Sequence, residues 1–402
     1  GGGWGTLSGI TGFVQVSELN LFGKGYNVSI RGDIGAKRQA ISASFGSGWI
    51  GYLPIRYSFS VAYSWQQLDI IPMYDRDGDG VWDKMYDNGD SNGLVIRNEK
   101  QYSDFYQYSD QDRNGNGITG EDADKYDADR YVKKQSFSIG AGLGYSISEY
   151  WGVGANQSFA LNKYYDPHNI NVNSIFEDDE YRLKSLLQKG EFELTTRTGF
   201  GISYDSSDNP LTPTKGLVFS PSINFYGLMG GYNKFTSYSV NLAGYLSVLS
   251  FKKYRLNVVW ANFISLETLG KLPFSSHRTM YAENKLSFDG MRELKGWEEY
   301  VYEDDMKGLS KITLGSELRI PIPGTENLLW WAFFFDGGYV HPEDFKFAFN
   351  SKRWYFSEGF GLKVEIPMFP IRLYWAKRML WEDGWFKVKS GFNFVLSISG
   401  FF

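Results

Sequence analysis

Apolar and small polar residues alternate with a period of two in stretches spread along the whole chain. RYSFSVAYSW (56–65), QSFSIGAGLGYSI (135–147), EFELTTRTGFGISY (191–204) and KITLGSELRIPI (311–322) are the clearest cases. A period of two puts successive side chains on opposite faces of an extended chain, so each stretch reads as a half-polar strand. Helical spacing is confined to DDEYRLKSLLQKG (178–190), a short loop helix closed by Gly190. The longest apolar run, LLWWAFFF (328–335), falls far short of the roughly 20 residues that a membrane-spanning helix needs. The chain is therefore a many-stranded all-β protein without a spanning helix.

Counting the alternating segments and their turn signals gives about sixteen strands. One set of connections is short: FGKG (22–25), WIGYLP (49–54), SEYW (148–151), DNPLTPTKG (208–216), FKKY (251–254), PGTEN (323–327) and PMFP (367–370). The alternate set includes three long ones, at 69–134, 165–190 and 266–308. Tight turns at one end and long loops at the other are the pattern of an antiparallel outer-membrane barrel. Glycine at 46 residues and aromatics at 18% suit many strands carrying aromatic girdles. No linker divides the 402 residues, so 1–402 reads as one 16-stranded antiparallel transmembrane β-barrel domain, with 69–134 a long acidic extracellular loop inside it.

The faces follow from parity. Phe392, Phe394, Leu396, Ile398 and Phe402 share one parity and would face lipid, while Asn393, Ser397 and Ser399 share the other. A soluble sandwich would alternate in the same way and bury its apolar face in a core. A single uninterrupted meander of this many strands argues against it, and closure into a barrel removes the edges that hydrocarbon forbids.

Enzymatic chemistry has little to stand on. The three histidines, His168, His277 and His341, fall in predicted loops, and no zinc-binding His-Glu-x-x-His, nucleophile elbow or phosphate loop is present. GAGLGY (140–145) lies inside a period-two stretch with no helix after it, so it is a smooth strand face and not a nucleotide site. There are no cysteines, and the start GGGWGTLSG lacks the basic and apolar regions of a signal peptide. No cofactor is required on this reading, and no nucleic-acid partner is expected.

The first long loop holds 16 acidic and 9 basic residues, a net −7 against −5 for the whole chain. Within it, DRDGDGVWD places Asp75, Asp77, Asp79 and Asp83 around a glycine turn. DQDRNGNGITGE places Asp110, Asp112 and Asn114 with Glu121 at the twelfth position, the spacing of a calcium loop. Alternate acidic oxygens on a turn suit a hard cation, so Ca²⁺ is the metal these residues would take. Neither stretch has the flanking helices of an EF-hand, Tyr86 stands at the twelfth place of the first, and a plain solvated acidic loop is the other reading.

Inside the third long loop stands Leu294-Lys295-Gly296-Trp297. With WGTLSG (4–9), NLFGKGYNVSI (20–30), YDSSDNPLTPTKG (204–216), SELRIPIPG (316–324), FFFDGGYV (333–340) and a terminal Phe402, it resembles the BamA-type family of outer-membrane assembly proteins. The segments occur in the family's order and cover most of the chain. That family's sixth outer loop folds back into the barrel and carries an aliphatic-Arg-Gly-aromatic signature, so the resemblance makes Lys295 the loop cation. Its implied partners are Glu317 and Asp336, which parity also points inward. The departure is Lys for Arg, which replaces a planar bidentate fork by a point charge.

The resemblance further implies a seam between the first and last strands, opening sideways so that the first strand templates a client strand. Here the first strand is GGGWGT, with Gly3, Trp4, Gly5 and Thr6 at the seam, poor in β-branched residues and able to pair only loosely. Phe392, Phe394 and Phe402 mark the other side. The implied function is an outer-membrane insertase. Its partners would be nascent β-barrel proteins, periplasmic chaperones, accessory assembly lipoproteins and outer-membrane lipid, with soluble periplasmic domains preceding the barrel. A secretion transporter of the same superfamily, a passive porin and a calcium-structured surface adhesin are the alternatives.

Overall fold

The computed structural model describes residues 2–5, 9–35, 38–69, 131–165, 190–210, 212–251, 256–275, 277–280, 284–290, 293–297, 307–325, 328–347, 353–365, 371–382, 385–388 and 393–398, and four residue pairs within 73–95. The strands are β1 (Gly2–Gly5), β2 (Gly9–Leu21), β3 (Tyr26–Gly35), β4 (Arg38–Ser47), β5 (Ile55–Asp69), β6 (Tyr131–Ser146), β7 (Trp151–Tyr165) and β8 (Phe192–Asp205). They continue as β9 (Gly216–Gly231), β10 (Phe235–Phe251), β11 (Leu256–Lys271), β12 (Ser310–Pro321), β13 (Leu329–His341), β14 (Arg353–Val364) and β15 (Ile371–Glu382). The sixteenth strand, β16, has two pieces, Trp385–Val388 and Asn393–Ile398.

Each strand pairs antiparallel with the next, from Gly2 opposite Gly12 at the start to Ile371 opposite Ile398 at the end. The last piece of β16 comes within 8 Å of β1 between Cα atoms, so the meander returns to its beginning. No ladder joins β1 to β16 among the described residues. Both pieces of β16 pair with β15, Val388 opposite Met379 and Asn393 opposite Ala376.

The alternation seen in the sequence sorts the faces. Phe333 and Phe335 of β13 are about half exposed, while Phe334 and Asp336 between them are buried. The outer set is what a bilayer would cover; the inner set is covered by the protein's own loop. Connections of ten residues or fewer join β2–β3, β4–β5, β6–β7, β8–β9, β10–β11, β12–β13 and β14–β15, and the long connections lie between the other strand ends, as expected for this class.

Three boundaries differ from the sequence expectation, the first being β6, which starts at Tyr131 inside the expected loop 69–134 and pairs there with β5. Strand β11 runs to Lys271, past the predicted loop start at 266, because the Leu269 amide donates to Leu309 O at 2.7 Å and Thr268 Oγ1 to the same carbonyl at 3.1 Å. His341 is the last residue of β13 and not a loop residue, since its carbonyl accepts from the Leu309 amide at 2.8 Å. Of the expected short helix only Gly190 is described, in the left-handed region with φ +63°.

Candidate functional site: the inward loop and its wall

Residues 284–290 and 293–297 pack on the inner face of β13, β14 and β15. Phe288, Leu294 and Trp297 form one cluster with Val340, Tyr355 and Leu380. Leu294 is fully buried, and Trp297 is 2% exposed. A loop that buries its largest apolar side chains against a barrel wall is held as a core element is held, by the area it removes from water. Trp297 also satisfies its one polar atom: Nε1 donates to Phe356 O at 2.9 Å, with Tyr355 edge-on at 5.0 Å and the Arg378 guanidinium 5.8 Å from the ring.

Lys295 reaches the wall beside it. Its Nζ donates to Asp336 Oδ2 at 3.0 Å and Oδ1 at 3.2 Å, and its backbone amide to Oδ2 at 3.2 Å. Ser357 Oγ donates to the same oxygen at 3.4 Å. The ammonium also sits 4.6 Å from the centre of the Phe334 ring and 5.3 Å from that of Tyr374, so its remaining faces meet π-clouds. Gly296 takes φ +81° and donates its amide to Gly290 O at 3.0 Å, a conformation that L side chains resist.

Glu317 accepts no hydrogen bond from Lys295, which the resemblance made its partner, although the Lys295 charge still acts on it. Its Oε1 accepts from Arg319 Nε at 2.5 Å and Lys363 Nζ at 3.1 Å, and its Oε2 from Tyr374 OH at 3.4 Å. Arg319 is two residues along the same inward face of β12, and Lys363 approaches from β14; both reach Glu317 without leaving the wall. Asp336 is left to hold the loop and Glu317 to hold the wall together. Below the loop lies a cavity of about 460 Å³, bordered by Lys295, Asp336, Glu317, Tyr245, Pro210 and Pro213. The proline turn between β8 and β9 therefore faces the same lumen from the other end.

Sequence reasoning missed three contributors. A Cβ on Gly338 would lie 2.5 Å from Phe288, so Gly338 makes room for the loop, while its neighbour Gly337 faces Phe356 of β14. Tyr355 and Lys363 complete the wall. The glycine pair in FFFDGGYV was the available signal.

At the seam, Gly3, Trp4 and Gly5 lie in β1 opposite Thr11, Ile10 and Gly9 of β2. Phe394 points outward, 46% exposed and 5.5 Å from the Trp375 ring. Thr6, Phe392 and Phe402 lie outside the described residues. So do the calcium candidates Asp75, Asp77, Asp79, Asp110, Asp112, Asn114 and Glu121, while Asp83 falls in a two-residue strand, Asp83–Lys84, whose side chains are not described.

A family model described as the Omp85 superfamily domain matches residues 20–399. The chain belongs to the Omp85 superfamily. As an Omp85 barrel it is an outer-membrane protein of a non-enzymatic family. A protein of Treponema pallidum (strain Nichols) named as an outer membrane protein assembly factor is 22% identical over 429 residues, which cover 96% of this chain and 45% of that protein. The Omp85 chain thus spans less than half the length of this relative. BamA from Haemophilus ducreyi lacking POTRA domains 1–3 shares the fold at TM-score 0.65 and 14% identity, over 98% of this chain and 68% of that one. CdiB from Acinetobacter baumannii matches at TM-score 0.54 and 10% identity, over 99% and 58%, and CdiB from Escherichia coli at 0.55 and 11%, over 99% and 62%.

Proposed function

We propose that this Omp85 barrel is the membrane unit of an outer-membrane assembly insertase, which folds and inserts nascent β-barrel proteins through the junction of β1 and β16. The observation that carries the reading is the junction itself: β1 and the last piece of β16 approach within 8 Å with no ladder between them among the described residues. Every other neighbouring pair of strands is zipped by a ladder, so the barrel wall is cheapest to part here. An edge freed in this way offers unpaired N–H and C=O groups to an incoming strand.

The name of the Treponema pallidum relative supports the same reading. Nascent barrel proteins, periplasmic chaperones, accessory assembly lipoproteins and outer-membrane lipid are the partners such an activity would need. The inward loop occupies the lumen beside β13, β14 and β15, which favours an occluded barrel over a steady open pore.

The test is insertion of an unfolded outer-membrane β-barrel protein into vesicles containing the full-length protein. Client folding should be faster than in empty vesicles. Release of a soluble client across the bilayer without insertion would replace this reading by a secretion transporter, and a constant large conductance would replace it by a porin.

A further inference from the structure

We propose that Lys311, the second residue of β12, is a positioning residue that latches the inward loop a second time, with the charges reversed. Its Nζ donates to both carboxylate oxygens of Glu293, at 3.0 Å each, and to the carbonyl of Ser287 at 3.0 Å, with Glu267 Oε2 of β11 at 3.7 Å. One buried ammonium therefore grips the loop at two places six positions apart. At the Lys295 anchor the loop supplies the cation and the wall the anion; at Lys311 the loop supplies the anion and the wall the cation.

The two latches lie at different depths on one face. In the β12–β13 register Lys311 is opposite Val340 and Gly315 is opposite Asp336. Lys311 therefore stands four residues nearer the outer end, roughly 13 Å at 3.3 Å per residue. Glu293 and Lys295 are two apart in sequence, with fully buried Leu294 between them. A loop gripped at two depths by opposite charges has one seated orientation, because sliding or inverting it would bring like charges together. The first turn of the segment is set by the same residues: Glu293 Oε2 accepts from the Asp289 amide at 3.0 Å while its backbone amide donates to Asp289 O at 2.9 Å.

This latch rests on the loop geometry and deepens the proposed function by assigning how the loop is held against the wall. Because the chain has no cysteine, a single Leu294→Cys reports seating by its rate of maleimide labelling in the folded, reconstituted protein. Lys311→Met in that background should raise the labelling rate about tenfold, as expected when a local opening equilibrium loses one partly buried ion pair. Lys311→Arg should restore slow labelling. Glu293→Gln lies in the loop and leaves the wall intact; it should raise the rate by itself, and Lys311→Met with Glu293→Gln should exceed the larger single effect only slightly. Unchanged labelling in Glu293→Gln, or single effects that multiply as independent events, would overturn the latch. The readout needs no client, so it separates the two ideas. Slow client insertion with a loop still seated in Lys311→Met counts against the latch alone, and normal insertion with an unseated loop counts against the role given to the seated loop.

Discussion

Asp336 holds the side chain and the backbone of Lys295 at once: Oδ2 accepts from Nζ at 3.0 Å and from the amide at 3.2 Å. A point charge would otherwise pivot on a single carboxylate. The added amide contact gives the Lys anchor some of the directional fixity that an arginine fork supplies by its own geometry. Lys295→Ala should leave a carboxylate that is 2% exposed without its cation, at a cost of roughly 1–3 kcal/mol. Denaturant unfolding of the reconstituted barrel would read that loss. Lys295→Arg should keep the loop seated, and an unseated loop in that variant would show that cavity shape matters more than charge.

Room for the loop is made by a residue that never touches the ion pair. Gly338→Val would place its Cβ about where Phe288 already lies, at 2.5 Å, with a rigid ring as the obstacle. This variant should unseat the loop while Lys295 and Asp336 are unchanged, raising conductance in planar bilayers from near closed to measurable. Wild-type conductance in Gly338→Val would mean that Phe288 finds another pocket without disturbing the plug.

Cysteine pairs scanned between positions 3–5 of β1 and 393–398 of β16 should include one that oxidises readily, since the strands approach within 8 Å. The locked barrel should remain folded by heat-modified mobility and lose client insertion. Full insertion activity with the seam quantitatively locked would exclude passage through it.

The proline turn carries a proton-linked element. Burial raises the Asp208 carboxyl, but a bond from Thr214 Oγ1 and amide donations from Thr214 and Lys215 outweigh it, so the group sits below its ordinary 3.8. With the folded value depressed, the contribution to turn stability is present above the unfolded value and is lost as pH falls through the folded one. The protection factors of the Thr214 and Lys215 amides, corrected for intrinsic exchange, should therefore fall below about pH 4, and Asp208→Asn should remove that fall. The effect should be small because the site is largely open to solvent.

What this sequence determined alone is whatever depends on neighbours along the chain. Period two in KITLGSELRIPI and its counterparts put Glu317 and Asp336 on the inner face, and tight turns against long loops set the number and direction of the strands. Parity says which way a side chain points, though not which of several inward charges it meets. Lys295 goes to Asp336 and not to Glu317 because Arg319 and Lys363 reach Glu317 first, a choice made by the register of β12 against β13 and of β13 against β14. Phe288 finds Gly338, and Lys311 finds Glu293 and Ser287, across 50, 18 and 24 positions of chain. The junction of β1 and β16 likewise needs both ends of the chain brought side by side. Those pairings came only from the tertiary structure, since local spacing sets the face of a strand while register and closure of the whole barrel decide which charges share a space.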